Sequence, residues 1–426
     1  MQADLNYNNR FNSFSQDALY QSLDKDSQFV IRNIGFKHCL TYQELKQVTE
    51  ISIDLNMWKE PSLAKQLLKL EYKIRSNGQQ RKKKLLNALH DHWKTLKDQE
   101  TKYEPLKKKS KSRIQSRKVT QINGDNKVFG MCPVASEKTV CCNLMTIDAV
   151  QGCGLGCSYC SIQTFYTNGK IAVESNLAEK LEAIPLDPDK NYHIGSGQSS
   201  DSLAIGNTNG VLDAQLDFAR KNSNIILEFK TKSKNIKYLL NADVPPNVFV
   251  SWSMNPQLFI DHEEHGTASL EQRLAAARAL ADSGILVGFH FHPIVNYQGW
   301  KKDYRYLVQK VLAMFSPSEV GLVSLGTLTF FKPLIQKLRM SGIDSKVLQI
   351  PMDKAAGKKS YPKSTKKKIF KMVWNEFRPW HGKVFFYMCM EEREIWDAVF
   401  GNCYENNSEF ETALFQHVSG KMSYAQ

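Results

Sequence analysis

Between residues 143 and 388, seven short β-rich runs alternate with longer helical patterns, and no other feature of the chain limits its fold as much. The runs are 143–150, 192–194, 225–229, 248–253, 286–291, 320–325 and 384–388. The helical patterns lie near 177–184, 212–221, 270–283, 304–315, 333–340 and 366–377. Ser269, with Gln272 three residues on, reads as a capping box that starts one of these helices. Strands alternating with helices imply parallel pairing through right-handed crossovers. The expected fold class is α/β: a partial or full (β/α) barrel with an N-terminal helical extension. An open doubly wound sheet is the alternative. Either architecture gathers ligands at the C-terminal ends of its strands.

Ahead of the alternation the texture differs. Residues 1 to about 30 are rich in Asn, Gln, Ser and Asp and read as poorly ordered. From 41 to 99 the pattern is helical, with Leu45, Val48 and Ile51, then Leu63, Leu67 and Leu70, then Leu85, Leu86 and Leu89 at helical spacing. Pro61 marks a break, and Ser62 a new start. The expected organisation is a basic, mostly helical region over 1–118 that ends in a basic linker, followed by the barrel over 119–426.

Charge divides the chain in the same way. The formal net charge is +14, yet residues 1–118 carry 24 Lys and Arg against 13 Asp and Glu, and the remainder is nearly neutral. Seven of the twelve residues in 107–118 are basic, and a second cluster is Arg81 to Lys84. Such clusters neutralise phosphates, so nucleic acid is a candidate partner, against the plainer reading of a solvated linker. A composition of 42% hydrophobic and 23% charged residues excludes a disordered chain, a collagen and a coiled-coil rod. The longest apolar stretch, 284–295, is broken by His290, His292 and Pro293, and the first ten residues lack an apolar signal core. No membrane association and a cytoplasmic location are expected. A reducing compartment directs attention to the nine cysteines as metal or redox groups rather than disulfides.

Cys153, Cys157 and Cys160 form C-x3-C-x2-C directly after the first β-rich run, with glycines at 152, 154 and 156 that let the loop fold tightly. A cubane iron–sulfur cluster takes four ligands. This loop offers three, which leaves one iron open to a small chelating molecule. A structural zinc site is the alternative and would need Cys141, Cys142 or a histidine as fourth ligand. The triplet resembles that of the radical S-adenosylmethionine enzymes. The resemblance implies a [4Fe–4S] cluster, S-adenosyl-L-methionine chelated to the open iron, an electron donor of the reductase or flavodoxin type, and a 5′-deoxyadenosyl radical that abstracts hydrogen from a substrate.

Downstream the chain resembles the spore photoproduct lyase family. The stretches that carry the resemblance are GCSYCSIQTF (156–165), IGSGQSSDSLA (194–204), FKTKSKNIKYLL (229–240), SWSMNP (251–256), GTASLEQRLAAA (266–277), GFHFHPIVNYQGWKKDY (288–304), FFKP (330–333) and GKVFFYMCMEE (382–392). The resemblance implies that Ser199, Ser200, Lys232 and Ser253 bind S-adenosylmethionine, with Lys232 at its carboxylate, and that Tyr159 is a catalytic redox or hydrogen-relay residue. Three departures stand out. The family's hydrogen-donating cysteine is expected where this chain reads Gly195-Ser-Gly-Gln-Ser-Ser, and there is no cysteine between Cys160 and Cys389. Ser161 stands where a second tyrosine is expected, and Thr329 where a basic residue is expected. The resemblance therefore implies a paralogue: a lyase-like DNA-repair enzyme acting on a nucleic-acid lesion or modified base. Two other functions are kept beside it, a radical enzyme acting on a protein or small molecule, and a nucleic-acid-binding iron–sulfur redox sensor.

Smaller signals are weighed in the same way. Cys132, Cys141 and Cys142 read as core residues, with metal ligation or hydrogen donation as the alternative, and Cys389, just past a late strand, could reach the pocket, with a core cysteine as the alternative. His290 and His292 alternate on one strand and so face one side, where they could meet substrate. His262-Glu-Glu-His265 reads as a polar turn, and Gly195-x-Gly197 lacks the rest of a dinucleotide fingerprint. Phe165, Tyr166, Trp252 and Trp300 are candidate stacking residues that more often serve packing.

Overall fold

The computed structural model of the chain describes residues 2–106, 118–124, 127–132, 136–164, 170–197 and 200–424. These fall into two compact units. The first comprises Met1–Lys102 and Phe330–Asp353, the second Tyr103–Thr329 and Lys354–Gln426. The first unit thus includes a segment from late in the chain, whereas the sequence division at 118 treats both parts as continuous. A later segment that joins an earlier domain leaves no mark in local periodicity, so a sequence reading does not detect it.

The first unit is helical: α1 (Gln2–Ser15), α2 (Ala18–Gln21), α3 (Lys25–His38), α4 (Tyr42–Met57), α5 (Leu63–Lys73) and α6 (Gly78–Asp98). The expectation of poor order before residue 30 is overturned. Tyr7, Phe11 and Phe14 fall at i, i+4 and i+7 and are buried with Leu19, Tyr20 and Leu23 in one core. Asn and Gln around them mask the stripe in composition. Thr41 and Glu44 form a capping box at the start of α4. The late segment supplies Arg339, whose guanidinium meets the buried Asp54 carboxylate through two contacts of 2.9 Å, while Trp93 donates to the same carboxylate at 3.0 Å.

In the second unit, eight strands among the described residues form one curled sheet, a partial (β/α) barrel. They are β1 (Phe129–Met131), β2 (Met145–Ile147), β3 (Tyr192–Ser196), β4 (Ile225–Thr231), β5 (Val248–Ser253), β6 (Val287–Ile294), β7 (Val320–Thr327) and β8 (Phe385–Met388). Their spatial order follows the chain. Every pair is parallel except β1–β2. The seven β-rich runs of the sequence correspond to β2 through β8. Crossover helices include Val211–Lys221, Leu270–Asp282, with the capping box of Ser269 and Gln272 in place, Trp300–Met314 and Lys363–Glu376. Strands β4 to β7 are buried almost throughout, as both faces of a wrapped parallel sheet must be. Among the described residues no helix is long and apolar enough to cross a membrane.

Candidate functional site

A cavity of about 270 Å³ lies within the second unit, lined largely by residues at or beyond the C-terminal ends of its strands. Cys153, Cys157 and Cys160 all line it. Their loop follows β2, and Gly152 (φ 83°) is where a side chain could not be accommodated. A Cβ there would come within 2.6 Å of the Lys170 carbonyl oxygen. Hydrogen bonds then pin the loop to the segment that follows β5. Ser158 N donates to Glu263 O at 2.9 Å, and Gly266 N donates to Leu155 O at 2.8 Å.

Beside the loop is a buried charge network. Lys232, just past β4, donates from Nζ to the Tyr159 hydroxyl at 2.7 Å and lies 3.7 Å from Cys157 Sγ. Its ammonium also sits over the Tyr159 ring, 4.7 Å from the centroid. Tyr159 donates to Glu264, which accepts further bonds from Asn255 Nδ2 at 2.9 Å and from Arg273. Arg273 Nη1 also donates to Ser253 O at 2.8 Å. Glu264 and Arg273 have no solvent exposure. Burial alone would push the Glu264 carboxyl up, but Arg273 and Lys232 outweigh it and hold the group at about 2. Burial, with Glu264 alongside, pushes the Tyr159 phenol well above its usual value, so the ring stays protonated. The reading of 262–265 as a polar turn is therefore corrected. Glu263 and Glu264 are core acids, and Glu263 accepts bonds from Tyr103 at 2.9 Å and from Ser158.

Ser200, Lys232, Ser253 and Tyr159 all line the cavity with the triplet, while Ser199 lies outside the described residues, as do Phe165 and Tyr166. Asp201 carries no motif of its own in the sequence. Its carboxylate accepts from Thr231 Oγ1 at 2.6 Å and from Lys232 N at 2.7 Å, and so ties the loop after β3 to the end of β4. Gly197 (φ 93°) allows that approach, since a Cβ would fall 2.5 Å from Ser202 Oγ. Trp252 and Trp300 are core residues away from the cavity lining.

The floor of the cavity is a second polar network. Glu228 on β4 accepts from Ser251 and meets His193 Nε2 at 2.9 Å and His290 Nε2 at 2.5 Å. Ser324 bridges His290 and His292, the latter at 2.9 Å. Both histidines line the cavity, as their alternation predicts. Burial, then the nearby Lys230, lowers His290 from 6.5 to about 4 despite the opposing pull of Glu228. An unfolded chain takes up a proton on this ring below about 6.5, whereas the folded chain does not until about 4. The stability held at this site is therefore complete above pH 6.5 and lost progressively as pH falls to about 4. The urea midpoint should fall across that window, and His290→Gln should reduce the slope. An unchanged slope in the variant would contradict the assignment.

Three thiols on one loop, an adjoining cavity and a nearby lysine suit an iron–sulfur cluster with one open iron. Among the described residues no three His, Cys, Asp or Glu side chains are grouped to hold a single metal ion.

The comparisons with known proteins bear on the same region. The family model described as spore photoproduct lyase matches residues 137–361, more than half of the chain. The chain belongs to the spore photoproduct lyase family. The spore photoproduct lyase of Clostridium acetobutylicum is 29% identical over 170 residues, covering 38% of this chain and 50% of that protein. That of Geobacillus sp. is 28% identical over 170 residues, covering 39% and 50%. The chain thus spans about half the length of the curated relatives it matches. Among solved structures, a spore photoproduct lyase complexed with dinucleoside spore photoproduct superposes with a TM-score of 0.55 at 22% identity, covering 63% of this chain and 82% of that one. A mutant lyase with bound AdoMet and dinucleoside spore photoproduct gives the same values. At this identity the structures establish a shared fold.

Proposed function

We propose that this chain is a radical S-adenosylmethionine enzyme of the spore photoproduct lyase type, acting on a lesion or modified base in nucleic acid. The observation that carries the proposal is the convergence of Cys153, Cys157 and Cys160 on one cavity, in a chain of this family. When bound, a [4Fe–4S] cluster and S-adenosylmethionine would supply one-electron radical chemistry. The three cysteine thiolates hold the cluster. Lys232 presents a positive charge to the cofactor carboxylate, and Ser199, Ser200 and Ser253 present hydroxyl groups. Tyr159 is a candidate hydrogen relay, and Glu264 and Lys232 fix the direction of its hydroxyl group. Glu228, His290 and His292 form a polar floor that can hold a base edge.

The nucleic-acid partner is supported by the N-terminal charge, though less of it is available than the sequence suggests. Arg81 is spent on the Ile74 and Glu71 carbonyls, and Lys82 pairs with Glu44 at 2.7 Å. Lys83 and Lys84 remain exposed. The denser run over 107–117 lies outside the described residues. A reductase or flavodoxin-type donor in the cytoplasm would supply the electron.

The test is anaerobic incubation of the reconstituted, reduced protein with S-adenosylmethionine and either ultraviolet-irradiated or plain DNA. Digested DNA is then analysed by mass spectrometry. The proposal expects a photoproduct to disappear only when the cofactor and reductant are both present. Cofactor cleavage at the same rate with either DNA, and no lesion lost, would move the substrate to a protein or small molecule.

A further inference from the structure

Seven of the nine cysteines line this cavity: the triplet, and Cys132, Cys141, Cys142 and Cys389. The sequence reading of Cys132, Cys141 and Cys142 as core residues is corrected, because each is only partly buried and borders open space, while Cys389 reaches the cavity as its place past a late strand allows. They come from three separate segments. Cys132 follows β1, Cys141 and Cys142 precede β2, and Cys389 follows β8. Strands β1 and β8 are the opposite edges of the sheet. Curling of the sheet brings these edges together, and a bridge between Val140 N and Glu391 O at 3.0 Å marks the seam.

Backbone and side-chain bonds hold each segment in place. Cys132 N donates to Leu144 O and Cys389 N to Leu325 O, both at 2.9 Å, and Cys141 N donates to Asn407 Oδ1 at 3.0 Å. The Cys142 thiol hydrogen-bonds with that of Cys141 and lies within electrostatic reach of Cys389 and Cys132. Lys358 Nζ lies 3.4 Å from Met390 Sδ, next to Cys389, and the field of Lys358 reaches Cys389, Cys132 and Cys141, as that of Lys230 reaches Cys389. Asn143 (φ 49°) and Met390 (φ 60°), each next to one of the thiols, adopt left-handed backbone that a side chain rarely takes. For Met390 that conformation is a strain which the surroundings must impose.

Four thiols and two lysines at one seam call for a bound group. A vicinal disulfide between Cys141 and Cys142 does not suit, because Cα atoms joined by a trans peptide are ~3.8 Å apart, below the usual disulfide range. A single ion does not suit either, since no three of the side chains converge on one point. A four-iron cluster takes four cysteine thiolates, the number this seam supplies.

We propose that Cys132, Cys141, Cys142 and Cys389 hold a second iron–sulfur cluster, fully ligated by the chain, which closes the seam of the partial barrel. Each thiol gives up its proton as iron binds. Lys358 and Lys230 offset the negative charge of the tetrathiolate. With all four positions filled by cysteine, this site has no open iron, in contrast to the triplet. The proposal is independent of the triplet's role.

The experiment uses the full chain, reconstituted anaerobically with ferrous iron and sulfide. Iron and acid-labile sulfide are quantified, and the reduced protein is examined by electron paramagnetic resonance. The wild type should hold about eight irons per chain, as two cubanes require. Cys153→Ala/Cys157→Ala/Cys160→Ala should keep about four, with a reduced-cluster signal that S-adenosylmethionine does not alter. Cys141→Ser/Cys142→Ser/Cys389→Ser should also keep about four, with a signal that the cofactor does alter. Circular dichroism establishes that each variant is folded. A wild type that never exceeds about four irons overturns the second site whatever the variants do, as does a folded triplet variant holding less than about one iron, or zinc alone. The first of these outcomes leaves the proposed function standing.

Discussion

Replacing Arg273 with methionine is expected to lower the unfolding free energy by about 3–5 kcal/mol, the usual cost of stranding a buried charge. The partner left behind is Glu264, which no water reaches and which Arg273 and Lys232 hold ionised. Arg273 also satisfies the carbonyl oxygens of Ser253 and Ala268, so its loss frees two further acceptors at the rim of the cavity. Urea unfolding followed by circular dichroism gives the number. Pairing the change with Glu264→Gln should recover part of the loss, because the stranded charge is then gone. A loss below about 1 kcal/mol in the single variant would show that the network is worth no more than an exposed ion pair.

Lys232→Met is expected to lower kcat/KM for S-adenosylmethionine by about 100-fold, within the range for removing one partner of a buried hydrogen-bonded charge pair. The lysine reaches the Tyr159 hydroxyl at 2.7 Å and Cys157 Sγ at 3.7 Å, so its charge is spent inside the cavity rather than in solvent. Lys232→Arg should restore only part of the rate, since a planar guanidinium does not reproduce a compact ammonium. If Lys232→Met leaves kcat/KM within a few-fold of wild type while KM is unchanged, the lysine positions Tyr159 and does not meet the cofactor.

The alternation of β-rich and helical segments fixes the order and parallel pairing of β2 through β8, because each crossover helix carries its own periodic signal. The N-terminal helices are less legible, since Tyr7, Phe11 and Phe14 form a narrow apolar stripe among polar residues. The role of Phe330–Asp353 is not legible at all, because its partners, such as Asp54, are nearly three hundred positions away. At the site, the spacing of Cys153, Cys157 and Cys160 marks the loop without help from structure. Glu264, Arg273 and Asp201 carry no motif that a single sequence would show. They act by being buried beside groups that are distant in the chain. The same reason hides the second set of thiols. Cys389 and Cys142 line one cavity only because the sheet curls its two edges together.

The most direct test of the central claim is formation of 5′-deoxyadenosine. The full chain is reconstituted anaerobically with iron and sulfide, reduced, and given S-adenosylmethionine, and the product is quantified by mass spectrometry beside Cys157→Ala. The account predicts product in the wild type and a fall to background in the variant. Absence of product from a wild type that carries its cluster would contradict it and would favour an iron–sulfur protein that binds nucleic acid or senses redox state.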